Sequence, residues 1–480
     1  MKTNSLDFDA QALREKILDL AMRGKLVKQD PNDEPANVLL EKIKAEKVEL
    51  VKEGKIKKSK ALPEITEDEK PFDIPDSWEW VRLGDVLLNT IGGGTPSKKN
   101  QDYWNGKIPW ISVKDVHKDE LEITETQDTI STMGLKNSST NLIKANTLIA
   151  VMRMAVGRIG VVKMNACINQ DLRALITSKN FCDQYLLYIY SHLNFETSGI
   201  TVKGLKINAL LETIIPLPPL SEQSRIAAKI AQLFALLRKV ESSTQQYAKL
   251  QTLLKSKVLD LAMRGKLVEQ DPNDEPASVL LEKIKAEKEQ LIKEKKIKKS
   301  KPLPPITDDE KPFEIPDSWE WVRLGEVNTY IGKNLHPEKT PEQLFELYSV
   351  PIYETNSPEI TSGKEIKSNK QTVIPDDILL CKINPRINRV WRVGNYTNYK
   401  NIASTEWIVV RQSQLLPDYL RYVLMSPYFR KLLQSNVSGV GGSLTRAKPV
   451  LVKKYVIPIP PLSEQSRISL KIAHLFTLLK

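Results

Sequence analysis

Four stretches of this chain imitate sites where proteins do chemistry, and each lacks the residues that would complete one. Gly92-Gly93-Gly94-Thr95 has the small residues of a phosphate-cradling loop, in which backbone N–H groups turn toward an anion. It has no Gly-Lys-Ser/Thr ending and opens no clear helix, so a loop flexing beside a strand is the simpler expectation. Asp68-Glu69-Lys70 and Asp309-Glu310-Lys311 resemble the acid-x-Lys end of a nuclease motif, but both sit in linkers where solvated charge is the plainer reading. Asn384-Pro385-Arg386 starts like the Asn-Pro-Pro-aromatic pattern that holds a base amino group and breaks at its third residue. Cys167, Cys182 and Cys381 form no CxxC pair, and the four histidines are scattered, so neither a disulfide framework nor a metal site is indicated. No catalytic constellation is expected, and no cofactor or metal held by this chain.

The cations carry more information. Lys98, Lys99, Arg153, Arg158, Lys203 and Lys206 form one set, with hydroxyls at Thr95, Ser97 and Thr201. Lys382, Arg386, Arg389, Arg392, Arg446 and Lys448 form another, with Ser443 and Thr445. Arginine can pair bidentately with a guanine edge, whereas lysine and hydroxyls more often hold phosphates. An ordinary surface charge is the bland alternative for any one of them, and for the lysines it is the stronger one. The loops SGITVKGLK (198–206) and SGVGGSLTRAK (438–448) favour the functional reading, since both are small, basic and placed just before a closing strand. The lysine runs at 55–60 and 295–301 could follow phosphates or simply solvate a linker.

Both sets lie where the two halves of the chain differ, and everything around them is duplicated. Residues 18–47 return at 259–288 with 28 of 30 positions identical. PFDIPDSWEWVRLG (71–84) returns at 312–325 with Asp73 replaced by Glu314, and PLPPLSEQSRI (216–226) returns at 458–468 with one change. The displacement is 241 or 242 residues, too long for a solenoid, so the pattern implies two equivalent modules related by a pseudo-two-fold axis. Residues 87–213 and 328–455 share almost nothing, so one repeated frame carries two unlike inserts.

The frame must position those inserts, and its pattern is helical. From Ser221, a candidate helix cap, Ile226, Ile230, Leu233, Leu237 and Val240 step by alternating fours and threes, as in a coiled-coil seam. Tyr247, Leu250, Leu254, Val258 and Leu261 resume the step up to Gly265, predicting one helix of about 45 residues, roughly 65 Å long. Leu6, Ala10, Leu13, Ile17 and Leu20 predict part of a second helix that Gly24 ends. Ile468, Ile472, Leu475 and Leu479 predict its other part, so the chain ends should meet antiparallel to the first helix. A further amphipathic helix is expected at 37–53 and again at 278–294. Leu39 and Ile43, with Leu280 and Ile284, are candidates for two symmetric partner-binding faces, because one antiparallel pair could not bury them all. IPDSWEWVRLG should lead into a mixed sheet. Strands with turns are expected at 147–162 and 377–393, helices at 183–193 and 417–433, and a closing strand before each PxPP stop. The class is α+β: two globular mixed α/β domains separated by long antiparallel coiled-coil helices.

With 480 residues there is room for several cores, and 71 Lys+Arg against 59 Asp+Glu, a net charge of +12, favours a polyanionic partner. No apolar run approaches the roughly 20 residues of a membrane span, and the N-terminus has no signal-peptide pattern, so a cytoplasmic protein is expected.

IPDSWEWVRLGDV and IPDSWEWVRLGEV, IPLPPLSEQSRIA and IPIPPLSEQSRIS, RGKLVKQDPNDEPA with its repeat, and the GGTPS opening of the first insert together resemble the DNA-specificity subunits of type I restriction–modification systems. The resemblance covers the whole chain. It implies helices completing the distal pair at 1–60, a target recognition domain at 61–220, a central helical region at 221–301, a second recognition domain at 302–462 and a distal helix at 463–480. It further implies that each insert reads half of an asymmetric, bipartite sequence in double-stranded DNA while the helices fix the spacer. Two copies of a modification subunit, which bind S-adenosylmethionine and methylate adenine, would dock on the helices. Restriction and translocation subunits using ATP and Mg would join them. Three other readings stay open: the specificity component of a system whose methyltransferase and nuclease are fused in one partner, an enzyme in its own right, and a pure protein–protein adaptor.

Overall fold

The computed structural model describes residues 9–118, 120–197, 204–299, 301–435, 437–438 and 445–479. Leu6, Thr201, Lys203, Ser443 and Lys480 lie outside the described residues. By packing the chain forms two units, one ending at Thr244 and the other starting at Gln245, so the boundary falls inside a single helix, Leu220–Met263. At 44 residues that helix has the predicted length. It starts one residue before Ser221, which therefore sits inside the first turn rather than capping it; Gln223 N already donates to Pro219 O at 2.9 Å.

In the first unit the helix Ala10–Met22 is capped by Asp9, whose side chain accepts from Ala12 N at 2.9 Å. It runs antiparallel to the near half of the long helix: Arg14 pairs with Glu241 (2.6 Å), and Gln29, past the helix end, reaches Glu222. Gly24 ends it with φ +66°, and a Cβ there would lie 2.4 Å from Pro75 Cγ, so only glycine serves both the turn and the contact. The second unit repeats the arrangement. Its helix Leu462–Leu478 lies along the far half of the long helix, with Lys255 Nζ 5.9 Å from the Phe476 ring centre and Gln270 donating to Glu464 at 2.6 Å. The heptad seam is buried only toward the helix ends, at Ile226, Ile230 and Leu259; Tyr247, Leu250 and Leu254 are exposed.

The helices Ala36–Lys52 and Ala277–Lys293 require a correction. Leu39, Ile43, Leu280 and Ile284, expected to face partners, are at most 3% exposed. Their apolar stripes join the cores that contain Trp78, Val81 and Leu83 in one unit and Trp319, Val322 and Leu324 in the other. Lys47 and Lys288 then donate to the carbonyls of Gly84 and Gly325, both at 2.9 Å. The tryptophan segment downstream supplies the missing burial surface, so no spare partner face remains on these four side chains.

Each divergent insert is bounded by one two-stranded ladder. Glu79–Arg82 pairs antiparallel with Ile214–Leu217, and Glu320–Arg323 with Val456–Ile459. Beyond the ladder the first domain has a five-stranded sheet in the order Leu87–Gly92, Leu172–Thr177, Leu148–Val151, Ile159–Val162, Glu122–Ile123. Its four-stranded sheet runs Asp128–Ile130, Trp104–Ile111, Ala166–Ile168, Leu142–Ile143. The second domain has a five-stranded sheet around Lys400–Ser404 and a three-stranded one in the order Val390–Arg392, Ile378–Cys381, Trp407–Val410. Helices Asp183–Ile189 and Pro417–Met425 cover them, each anchored by a buried tyrosine: Tyr185 donates to Pro216 O at 2.9 Å and Tyr419 to Pro458 O at 2.8 Å.

The joint between domain and long helix is the most repeated chemistry in the molecule. Glu222, fully buried in the first helical turn, accepts from Trp78 Nε1 (2.9 Å) and Gln29 Nε2, and Glu464 accepts from Trp319 Nε1 (2.9 Å) and Gln270. Burial pushes both carboxyls above the ordinary glutamate value, against the pull of the indole and amide donors. Asp33 holds Arg225 and Asp274 holds Arg467, both at 2.6 Å. Arg82 and Arg323 stitch the incoming linkers in place: Arg323 donates to Pro304 O, Pro305 O and Lys454 O and makes a two-point pair with Glu310.

Candidate nucleic-acid interface

The unlike inserts contain the same hairpin. In the first domain Val151 faces Leu172 in the ladder, Val151 N donates to Arg158 O (2.9 Å), and Met152 N donates to Asp171 O (2.8 Å). In the second, Cys381 faces Trp407, Cys381 N donates to Arg389 O (3.0 Å), and Lys382 N donates to Glu406 O (2.9 Å). Register therefore equates Met152 with Lys382, Arg153 with Ile383, Arg158 with Arg389, and Asp171 with Glu406. The turns between them differ by one residue, yet both use two left-handed positions: Met154 (φ +68°) and Gly157 (φ +93°) in one, Asn384 (φ +48°) and Asn388 (φ +55°) in the other. The basic loops return to these hairpins. Leu205 N donates to Met152 O at 2.7 Å and Ala447 N to Lys382 O at 2.9 Å, with bridges Arg153↔Gly204 and Ile383↔Arg446.

In the first domain a polar chain surrounds the hairpin. Arg153 pairs with Asp171 (2.7 Å), Asp171 is braced by Asn169 (3.3 Å) and Gln170 (3.4 Å), and Thr95 donates to Gln170 Oε1. Thr95 is carried by the glycine loop, and that loop is packed rather than loose. A Cβ on Gly93 would come within 2.1 Å of Ile168 O, one on Gly94 within 2.2 Å of Ser139 Oγ, and Gly94 N donates to Ile168 O at 2.9 Å. The expectation of a flexing loop is corrected: the glycines are there because the backbone passes against a neighbouring strand. Ser97, Lys98 and Lys99 follow on the exposed continuation, and Lys206 is exposed after the basic loop. Arg158 points elsewhere. It donates to Val116 O (3.3 Å) and lines a cleft of about 1410 Å³ shared with Arg14 and Arg238 of the frame helices.

In the second domain Lys382 and Arg446 face Glu406 at 4.0 and 3.5 Å, and Arg446 Nη2 reaches its other oxygen at 3.5 Å. Glu406 Oε2 is buried and lies within ion-pair distance of both cations, but it accepts no hydrogen bond. Arg389 lines a cleft of about 410 Å³ with Lys370, Ser404 and Glu406. Arg386 is exposed on the turn, with its carbonyl held by Arg430. Thr445 O accepts from Asn384 N (2.9 Å), and Lys448 is exposed. Arg392 is a correction. Its guanidinium is held by Asp376 (2.7 Å) and Asp418 (2.8 Å), so it braces a strand to the covering helix and offers little to a ligand. Asp171 and Glu406 are the functional candidates that residue type alone did not suggest; the signal would have been an acid just ahead of an apolar strand in each insert.

Among the described residues no group of three His, Cys, Asp or Glu could hold a metal, and no helix is long and apolar enough to cross a membrane. Residues 75–251 and 316–478 match the profile of a family described as the type I restriction modification DNA specificity domain. The specificity subunit of the type I restriction enzyme EcoAI from Escherichia coli is 37% identical over 396 residues, 68% of this chain and 63% of that protein. The EcoEI specificity subunit, also from Escherichia coli, is 35% identical over 390 residues, 70% of this chain and 64% of its own length. The chain thus spans a little under two thirds of the length of these curated relatives. In fold it is similar to a chain from a solved type I R-M system (TM-score 0.53, 18% identity), with 85% of this chain and 92% of that one covered.

Proposed function

The chain belongs to the type I restriction modification DNA specificity domain family, and from that membership we propose that it is a specificity subunit recognising an asymmetric, bipartite sequence in double-stranded DNA. The observation that carries this reading is one repeated frame presenting the same hairpin twice with unlike side chains: Met152, Arg153 and Gly204 in one domain, Lys382, Ile383 and Arg446 in the other. Unlike faces on equivalent scaffolds suit unlike half-sites. In this reading Arg153, Arg386, Arg389 and Arg446 would read base edges, while Lys98, Lys99, Lys206, Lys382 and Lys448 would hold phosphates, with Thr95, Ser97 and Thr445 alongside. Thr201, Lys203 and Ser443 are proposed for the same surfaces on sequence grounds alone.

In this reading the chain contributes no catalytic residue and holds no cofactor. Two modification subunits carrying S-adenosylmethionine would dock on the repeated frame through side chains other than Leu39, Ile43, Leu280 and Ile284. Restriction subunits using ATP and Mg would join them in the cytoplasm. Long-read modification sequencing of DNA from cells co-expressing this chain and its modification subunit tests the proposal. A split, asymmetric methylated motif that appears only with this chain is the expected result. Absence of any motif, with both proteins folded and associated, would refute it.

A further inference from the structure

Each recognition domain places one half-exposed arginine against one largely buried carboxylate, at the same point of the same hairpin, but takes the arginine from opposite sides. In the first domain Arg153 comes from the hairpin, and its bridge partner across the basic loop is Gly204. In the second the hairpin residue is Ile383, and its bridge partner is Arg446. The acids are register equivalents, Asp171 and Glu406, each directly preceding the strand that pairs with the hairpin. Arg153 Nε lies 2.7 Å from Asp171, with the arginine side chain 50% exposed and the aspartate 12%. Arg446 Nε lies 3.5 Å from Glu406, with exposures of 56% and 30%.

A structural ion pair would not need to survive such a change of supplier in two inserts that otherwise share almost no sequence. We propose that the pair is the base-reading device of both domains: Arg153 and Arg446 each recognise a guanine, and Asp171 and Glu406 are positioning residues that aim them. The inference rests on the DNA-recognition reading above. An arginine side chain carries considerable rotamer entropy, and fixing it beforehand reduces the cost of ordering it on the ligand. The five N–H donors of Arg153 are enough for a bidentate contact to guanine O6 and N7 once its Nε has met Asp171. Asp171 is itself fixed through Asn169 and Gln170, which ties Thr95 and the packed glycine loop to the same guanidinium.

The test is motif sequencing of DNA methylated by the complex assembled with R153A, R153K, D171N, R446A or E406Q, beside the unaltered chain. R153A and R153K should relax one guanine of one half-site, by about 5- to 150-fold in preference, and leave the other half-site unchanged. D171N should relax that same base more weakly. R446A and E406Q should do likewise in the other half-site. R153K and D171N carry the test if the alanine variant fails to fold. Unaltered motifs in all variants would reduce the pairs to structural bridges, and uniformly weaker methylation without base relaxation would make the arginines phosphate contacts. Either result overturns the proposal while the split motif of the unaltered chain stands. Absence of that motif removes the underlying reading instead.

Discussion

Residues 87–213 and 328–455 differ in almost every side chain, yet they fold the same strand–turn–strand with the same two left-handed positions. Met154 and Asn384 meet one of those positions with unrelated chemistry, Gly157 and Asn388 the other. The edges diverge more. Leu87–Gly92 forms a strand against Leu172–Thr177, with one register shift at Ile176/Thr177, whereas in the second domain the side chain of Asn328 does part of that work, donating to Val409 O and accepting from Arg411 N, both at 3.0 Å. A hydrogen-bond pattern can therefore persist where side-chain identity does not, and residues facing a ligand can change freely as long as the ladder beneath them is kept.

The largest effect should come from replacing 87–213 with the insert of another family member. One half-site of the methylated motif should change completely and the other not at all; a change in both would end the idea of independent domains. Next is Trp78→Ala, which removes a buried indole and its hydrogen bond to Glu222. A loss of about 3–5 kcal/mol is expected in thermal or denaturant unfolding. Hydrogen exchange should rise in residues up to Thr244 and stay low beyond Gln245, and uniform loosening would show that the units are not separable. A smaller, one-sided effect is expected of Gly93→Ala, whose Cβ would meet Ile168 O at 2.1 Å. Local strain of about 1–3 kcal/mol should weaken reading of one half-site only. An unaffected motif would free the glycine loop from the recognition surface.

The smallest effect distinguishes the two linker clamps by pH. Arg323 hydrogen bonds hold Glu310 down to about 2, and the Arg82 hydrogen bond lowers Glu69 as well. A depressed folded-state value means that the unfolded chain binds more protons as the carboxylate titrates. The stabilisation from Glu310 is thus complete above its ordinary value of 4.5 and is lost as pH falls toward about 2. Glu310→Gln should lower stability at neutral pH and flatten the decline below pH 4.5 in an unfolding series. Curves that stay parallel between pH 5 and 2 would remove the clamp from the account.

The frame could be read because its signals are local and occur twice: the alternating apolar step, the glycine stops, the tryptophan segment. Inside the inserts only the strands near 147–162 and 377–393 and the helices starting at 183 and 417 followed from apolar runs, and the second of these helices is broken at Ser426 into Pro417–Met425 and Pro427–Ser435. What could not be read was how each exposed-looking stripe is covered. Leu39 and Ile43 looked unpartnered because Trp78 and Leu83, which share their core, lie some forty residues further on. Arg392 looked available because Asp376 and Asp418 meet it only after folding. The acids that aim arginines were invisible for the same reason, since register between distant strands is not written in either strand alone.

The ion pair between Arg14 and Glu241 joins residues 227 apart. A ribosome adding 5–20 residues per second delivers the second member about 10–45 s after the first. Leu18, Ala21 and Met22 share a core with Ala36, Leu39 and Trp78, made soon after them, but also with Ile226 and Ile230, which are made much later. That core is complete only once its last members have emerged, so the separation in sequence between Leu18 and Ile230 sets how long the first unit stays unfinished during synthesis.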